Sequence, residues 1–150
     1  MRAFGPVDLA LFVWELPQNL LGAFILWRLN RRGAVVEIVP ERRRLFVHTT
    51  TAVSLGRFIF WYRDDDNPVF DITAVNRDHE YGHSVQSRLL GPLYLPVIGL
   101  PSYLRTVYAR WYYRRYGAKW KGYYRGFPER WADRIAGVDS HAGTRSRPLE

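Results

Sequence analysis

Residues 76–90 read NRDHEYGHSVQSRLL, and the centre of this segment is the motif His79-Glu80-Tyr81-Gly82-His83. Asn76 or Asp78 can cap a helix at the start of the segment, and the Gly91-Pro92 pair ends it after Leu90. An apolar stripe at a spacing of four residues supports the helix and consists of Tyr81, Val85 and Leu89. Because residues four apart lie on one helix face, the two histidines are predicted to point in the same direction.

This spacing of histidines suits a metal ion. An H-E-x-x-H motif on a helix lets both imidazoles reach one zinc ion, while the glutamate lies beside the open coordination position and can take a proton from water. His79 and His83 are therefore candidate metal ligands, and Glu80 is the candidate general base. The chain has only four histidines. The other two are predicted to lie away from the site, His48 in a strand and His141 in the C-terminal tail.

A catalytic zinc site needs a third protein ligand, which residues 129–136 (ERWADRIA) can provide. The segment is predicted to form a short helix with Glu129 and Asp133 on one face. Glu129 can complete the metal site, and Asp133 can accept a hydrogen bond from the free ring nitrogen of a metal-bound histidine. The small Ala132 and Ala136 would let this helix pack closely against the first.

Both motifs also have an ordinary structural interpretation. Two solvated histidines and a surface glutamate on one helix would give the same local pattern. Glu129 and Asp133 could equally form an ion-paired surface with the neighbouring Arg130 and Arg134. A metal site and a plain charged surface are therefore the alternatives at this stage.

The length and composition restrict the class of protein. A chain of 150 residues with 47% hydrophobic residues is one domain, which excludes a multidomain enzyme. The absence of cysteine excludes disulfides and thiolate metal sites, so a transition metal must be held by histidine and carboxylate. The formal net charge of +8 predicts an anionic partner, which is nucleic acid, acidic lipid or an acidic protein.

The middle of the chain is predicted to form a small sheet. Segments rich in Val, Ile, Phe and Thr alternate with turn residues and predict strands at 34–39, 44–49, 57–62 and 69–73. Together with the two helices that carry the motifs, they predict an α+β fold: a small antiparallel sheet plus a metal-binding helix pair.

The N-terminal part, residues 1–32, is predicted to associate with a membrane. Residues 7–27 are mostly apolar and reach the length of about 20 residues that a bilayer-crossing helix needs. Glu15 and Pro17 interrupt the segment, so it either spans the membrane, lies in its interface, or is a core helix broken at Pro17. Three arginines follow directly, which would place the rest of a spanning chain on the cytoplasmic side.

Two further segments leave alternatives open. Residues 89–104 carry no charge but three prolines, which is typical of a re-entrant, interfacial or buried segment. Residues 105–125 contain seven basic and eight aromatic residues and no acidic ones, a composition that suits an anionic membrane surface better than single-stranded nucleic acid. Residues 33–138 are predicted to form the folded domain, and residues 139–150 a disordered tail.

These motifs resemble those of the gluzincin metallopeptidases, whose signature is H-E-x-x-H followed by a downstream E-x-x-x-D helix. With Gly82 and Ala132, the two motifs further resemble H-E-x-G-H and E-x-x-A-D, which the membrane-bound branch of this group carries. The region from about 54 to 138, including Gly91-Pro92-Leu93-Tyr94, also resembles small uncharacterised bacterial proteins with a hydrophobic N-terminus.

The resemblance implies a role for individual residues. His79, His83 and Glu129 would be zinc ligands, Glu80 the general base, and Asp133 the partner of a ligating histidine. The strand around Ser54 to Phe60 would correspond to the edge strand along which such enzymes bind an extended peptide. Family members also use a His, Tyr or Arg to stabilise the oxyanion, and the unranked candidates here are Arg134, His141, Tyr123 and Tyr124.

The sequence therefore predicts a membrane-associated zinc metallopeptidase at the cytoplasmic face of a bacterial inner membrane, acting on peptide or protein substrates. Two alternatives remain. One is a non-enzymatic membrane-binding or nucleic-acid-binding protein that uses residues 105–125 and is stabilised by zinc. The other keeps the zinc site in a structural or regulatory role.

Overall fold

A computed structural model describes residues 5–146, and the α+β fold is confirmed. Five α-helices lie within these residues: α1 (Pro6–Trp14), α2 (Leu16–Arg31), α3 (Asn76–Leu90), α4 (Leu100–Tyr116) and α5 (Glu129–Ala136). Short 3₁₀ helices occupy Gly91–Leu93 and Tyr123–Arg125, and a π-helical turn occupies Leu95–Gly99. The strands are β1 (Glu37–Glu41), β2 (Arg44–His48), β3 (Val53–Leu55), β4 (Phe58–Trp61), β5 (Val138–Asp139) and β6 (Thr144–Arg145).

The main sheet is mixed rather than antiparallel throughout. Its strand order is β1-β2-β4-β3, with β2 and β4 parallel and the other two pairs antiparallel. The cause is β3, which folds back on β4 as a hairpin, takes the outer edge and so leaves β4 beside β2. The strand predicted at 69–73 is wrong, because only a single bridge between Asp64 and Ile72 forms there.

The core lies between this sheet and α2. Val47, Leu55, Phe58 and Phe60 are buried, and they pack against partly buried apolar residues from α2 and the π-helical turn: Ile25, Leu26, Leu29 and Leu95. Burial of this apolar surface is the main favourable contribution to the fold. It also attaches α2 to the sheet.

Helix α3 covers the opposite face of the sheet with a polar side, since Ser54, which contacts Glu80, alternates along β3 with Val53 and Leu55 of the core. Its bounds agree with the prediction, but neither Asn76 nor Asp78 forms a side-chain cap. The predicted apolar stripe is wrong as a core contact, since Leu89 is 62% exposed. The buried residues of the helix are almost all polar and include His79, Glu80, His83, Gln86 and Ser87.

Helices α3 and α5 approach each other closely at Gly82. A Cβ atom on Gly82 would collide with the backbone carbonyl of Ala132, which is fully buried. The expected close packing through small residues is therefore confirmed for Ala132. This contact brings the two motif-bearing helices together.

The N-terminal segment is two helices, not one. Among residues 5–146, no single helix combines the length and apolar composition needed to cross a membrane; α1 and α2 meet both criteria only as a pair, bent by 92°. Glu15 lies at the bend and is buried, where it forms an ion pair of 2.8 Å with buried Arg44 and accepts a hydrogen bond of 2.6 Å from Ser87. The interrupting carboxylate thus faces protein partners.

The predicted disordered tail is ordered up to Ser146. Strands β5 and β6 form a small antiparallel hairpin, and Ser140 between them is buried. His141, expected in a free tail, lies 3.0 Å from the Asp71 carboxylate through Nδ1. Side-chain partners far away in sequence order this segment, which composition alone does not reveal. Residues 1–4 of the predicted anchor and 147–150 of the predicted tail lie outside the described residues.

Candidate metal centre

Three side chains from α3 and α5 converge on one point. The Nε2 atoms of His79 and His83 each lie 3.0 Å from the same oxygen, Oε2 of Glu129. Tetrahedral donors at zinc-ligand distances lie about 3.3 Å from one another, so the spacing is close to that of a metal site. His79, His83 and Glu129 thus form a buried cluster that could hold a metal ion.

Hydrogen bonds determine which nitrogen of each histidine faces the cluster. His79 Nδ1 lies 2.6 Å from Asp133 Oδ1, and His83 Nδ1 lies 2.8 Å from Gln86 Oε1. The Gln86 amide is oriented by its NH₂ group, which donates to the Pro128 carbonyl at 3.3 Å. Both Nδ1 atoms therefore carry a proton, and the Nε2 atoms face Glu129.

If each Nε2 atom carried only a lone pair, the two nitrogens and the Glu129 carboxylate would repel one another. A cation is therefore needed between these groups. A proton can supply part of this charge. Burial lowers the pKa of His79, but its hydrogen bonds to Asp133 and Glu129 outweigh burial and raise it to about 10. At His83, burial lowers the pKa and the nearby negative charge of Glu129 raises it. The net effect is a raised pKa of His83. A divalent metal ion would satisfy all three groups at once, so the donor set fits a metal.

The remaining oxygens of the two carboxylates are also bound. Ser102 Oγ donates to Glu129 Oε1 at 2.5 Å, which leaves Oε2 alone to face the histidines. Asp133 accepts hydrogen bonds from the backbone N–H and the hydroxyl of Ser140 at 3.1 and 2.5 Å. Helix α4 and the C-terminal hairpin thereby hold the acidic residues of α5 in place.

Glu80 lies beside the cluster without joining it. The Ser54 hydroxyl on β3 is shared between the Glu80 backbone carbonyl at 2.5 Å and the Glu80 carboxylate at 3.0 Å, and the side chain of Glu80 is buried. Burial raises the pKa of the Glu80 carboxyl, although the neighbouring His83 and His79 oppose the shift. A carboxyl group with a raised pKa is suited to accept and return a proton near neutral pH.

An open cleft of about 120 Å³ reaches the centre from the side of His79 and Glu80. Tyr123 and Tyr124, both predicted as oxyanion candidates, line this cleft. Burial raises the pKa of both tyrosines well above the ordinary range, so their hydroxyls stay protonated. Arg110 is the only Lys or Arg side chain among the lining residues.

The other two oxyanion candidates are not brought into the cleft. Arg134 is exposed on the outer side of α5, and His141 is bound to Asp71.

The strand at the edge of the sheet is also not the one expected. Phe60 belongs to the interior strand β4, whereas the edge is β3, whose Ser54 carbonyl accepts a hydrogen bond of 2.8 Å from Tyr94. Residues 50–52, just before β3, line the cleft instead.

The structural interpretation of the motifs is wrong in its details. Both histidines are at most 4% exposed, so they do not lie on a solvated helix face. The carboxylates of Glu129 and Asp133 contact histidines instead, and Arg130 and Arg134 on the same helix are exposed.

Several residues that shape the centre could not be identified from the sequence. Gln86 had the clearest signal, because it follows His83 by three residues on the same helix and so lies on the same face. Ser54, Ser102, Ser140 and Arg110 come from other elements and carry no local pattern. Their positions follow only from the tertiary packing.

Comparisons with protein family models, with curated proteins and with solved structures found no match. The resemblance to gluzincins therefore rests on the motif residues alone.

We expect Asp133→Asn to weaken metal binding. An amide at this position is a poorer acceptor for the His79 Nδ1 proton and removes the negative charge that makes the imidazole more basic. The loss should be about 10–100-fold in zinc affinity, as is usual when the hydrogen-bond partner of a ligating histidine is changed. Competition with a chromophoric chelator measures the affinity, and Asp139→Asn on the exposed hairpin is the matched control. Unchanged affinity would contradict the assigned role of Asp133.

Proposed function

We propose that this protein is a zinc-dependent metallopeptidase. The observation that carries the proposal is the convergence of two histidine Nε2 atoms on Glu129 Oε2, with Glu80 beside them in the wall of an open cleft. A buried metal site with a purely structural role would not require an open cleft. The neighbouring carboxylate with a raised pKa favours hydrolytic chemistry.

The donor set favours zinc over harder metals. Two imidazole nitrogens and one carboxylate oxygen are the protein ligands of many catalytic zinc sites, which keep a fourth position open. Calcium and magnesium prefer oxygen ligands alone. Bound zinc would supply a Lewis acid that lowers the pKa of water and polarises a carbonyl group.

The protein's own residues would carry the proton transfers. Glu80 would accept the proton of the attacking water and then pass it to the nitrogen of the leaving amine, as general base and general acid in turn. Ser54 holds the Glu80 carboxylate in position. Arg110 and the protonated hydroxyl of Tyr123 line the same cleft and supply positive charge and a hydrogen-bond donor for an oxyanion.

Metal analysis combined with digestion of a peptide library tests the proposal on the purified full chain. We expect one zinc ion per chain, and peptide cleavage that is lost on chelation and restored by added zinc. Stoichiometric zinc with no cleavage of any peptide, and unfolding on chelation, would instead indicate a structural zinc site. Protein without zinc affinity would overturn the proposal.

A further inference from the structure

The N-terminal helices are polar on the inner side of their bend and apolar on their outer side, while Ile25 and Leu26 further along α2 pack on the core. Glu15, Gln18 and Asn19 are at most 1% exposed and make hydrogen bonds to the rest of the fold. The outer side of α2 is an apolar stripe at helical spacing, with side chains 39% to 59% exposed: Leu16, Leu20, Phe24 and Trp27. This is the reverse of a helix that faces water.

Helix α4 also exposes apolar side chains. Ala109 is its only buried residue within the described part of the chain. An exposed apolar stripe runs along it at spacings of four, three and four residues: Leu100, Leu104, Val107 and Trp111. Across residues 5–146, more large hydrophobic side chains are exposed than hydrophobic residues are buried. Proteins that face only water rarely expose apolar surface on this scale.

The two stripes belong to adjoining parts of the surface. Trp14 Nε1 donates to the Arg88 carbonyl at 2.9 Å, and Gln18 Nε2 donates to the Gly91 carbonyl at the same distance. The bend between α1 and α2 therefore lies against the end of α3, from which exposed Leu89 and Leu93 lead towards α4. We call the exposed apolar side chains of residues 7–27 and 89–111 the outer apolar face.

Charges border this face but do not lie within its apolar stripes. In residues 6–27 only Asp8 and Glu15 are charged, and neither is exposed; residues 89–104 carry no charge. Exposed arginines begin at the C-terminal ends of both helices: Arg28, Arg31 and Arg32 after the first stripe, and Arg110, Arg114 and Arg115 around the end of the second. Trp27 lies under the Arg31 guanidinium at 5.3 Å.

We propose that the outer apolar face is embedded in the lipid of an anionic membrane, with the two arginine groups at the headgroups. Exposed apolar side chains then lie among acyl chains, and the tryptophans and arginines lie where lipid interfaces favour them. A second copy of the chain fits less well, because like-charged arginine groups would meet. Nucleic acid fits less well because the stripes lack the cations that contact phosphates.

This placement has a consequence for the centre that rests on the proposed peptidase function. Arg110 lies both among the bordering arginines and in the wall of the cleft. The cleft would therefore open near the headgroup level, where the substrate class would be peptide segments close to a membrane surface. The test below measures binding alone, so its outcome is independent of catalysis.

Vesicle flotation of the full chain, purified in detergent and diluted, tests the proposal. We expect the protein to float with vesicles of phosphatidylcholine and phosphatidylglycerol, and at least tenfold more weakly with phosphatidylcholine alone. Phe24→Glu combined with Leu104→Glu should reduce binding at least tenfold, because a carboxylate in lipid is costly. The matched control is Val36→Glu with Ile38→Glu, which adds the same charge at exposed apolar residues outside the face.

Fluorescence quenching by brominated lipids gives a second measurement that does not depend on variant folding. Trp14, Trp27 and Trp111 should be quenched, so that Trp27→Phe with Trp111→Phe removes most of the quenching and Trp61→Phe little. Three results would overturn the proposal. They are no vesicle binding by the wild type, equal binding by the Phe24→Glu/Leu104→Glu variant and its control, and a preference for single-stranded DNA over anionic vesicles. A stable dimer in detergent-free solution that becomes monomeric in the Phe24→Glu/Leu104→Glu variant would also overturn it.

Discussion

Replacing Glu80 by glutamine is expected to reduce peptide hydrolysis about 10²–10⁴-fold in kcat, the range that a general base contributes. The glutamine side chain has the same size and can still accept the hydrogen bond that Ser54 Oγ donates to the Glu80 carboxylate at 3.0 Å. It cannot accept the proton of the attacking water. The loss should therefore fall on the chemical step rather than on folding, and the measurement is kcat for a peptide found by library digestion.

Metal content separates this expectation from a trivial loss of the site. Glu80 is not among the three converging ligands, so Glu80→Gln should retain the zinc of the wild type. Glu37→Gln, on an exposed strand residue, is the matched control and should leave both zinc and kcat unchanged. Cleavage by Glu80→Gln at the wild-type rate would exclude Glu80 as the general base.

The three residues of the candidate metal cluster could be predicted from the sequence because local geometry places them. His79 and His83 lie one helical turn apart, and the same rule places Glu129 and Asp133 on one side of α5. The contact between the two helices could be anticipated only from the small residues Ala132 and Ala136. The actual contact depends on Gly82 and the Ala132 backbone, and it turns two local patterns into one centre.

The direction in which the helices face could not be predicted in the same way. Hydrophobic periodicity assumes that the apolar side of a helix packs inward. In α3 the inward side is polar, because His79, His83 and Ser87 find partners on α5 and at Glu15. These partners lie 46 to 72 residues away in sequence. A rule based on neighbouring residues therefore assigns the core to the wrong side.

The same reversal explains why the N-terminal segment had several interpretations. Glu15 and Pro17 interrupt an apolar segment, which counts against a simple spanning helix. The structure places Glu15 in a buried ion pair with Arg44, while many apolar residues of the segment, such as Leu20 and Phe24, remain exposed. Polar residues in an apolar segment can thus form the contacts that attach the segment to the rest of the protein.

Replacing Glu129 by glutamine is expected to reduce zinc affinity by more than about 100-fold, beyond the loss caused by changing an outer hydrogen-bond partner. An amide oxygen is a neutral and weaker ligand than the carboxylate that faces both Nε2 atoms at 3.0 Å. It would leave the positive charge of a divalent ion less compensated in a site whose ligands are at most 4% exposed. A competition titration with a chromophoric chelator measures the affinity.

The Glu129→Gln substitution conserves the shape of the side chain, and with the amide oxygen facing the histidines the NH₂ group can donate to Ser102 Oγ, so the variant should fold, which circular dichroism can verify. Zinc should raise the Tm of the wild type, since a ligand that binds only the folded state stabilises it. That rise should be absent in Glu129→Gln at the same zinc concentration and present in Glu37→Gln. If the variant keeps wild-type affinity and the zinc-dependent rise in Tm, Glu129 is not a ligand, and the metal is held by a different set of donors.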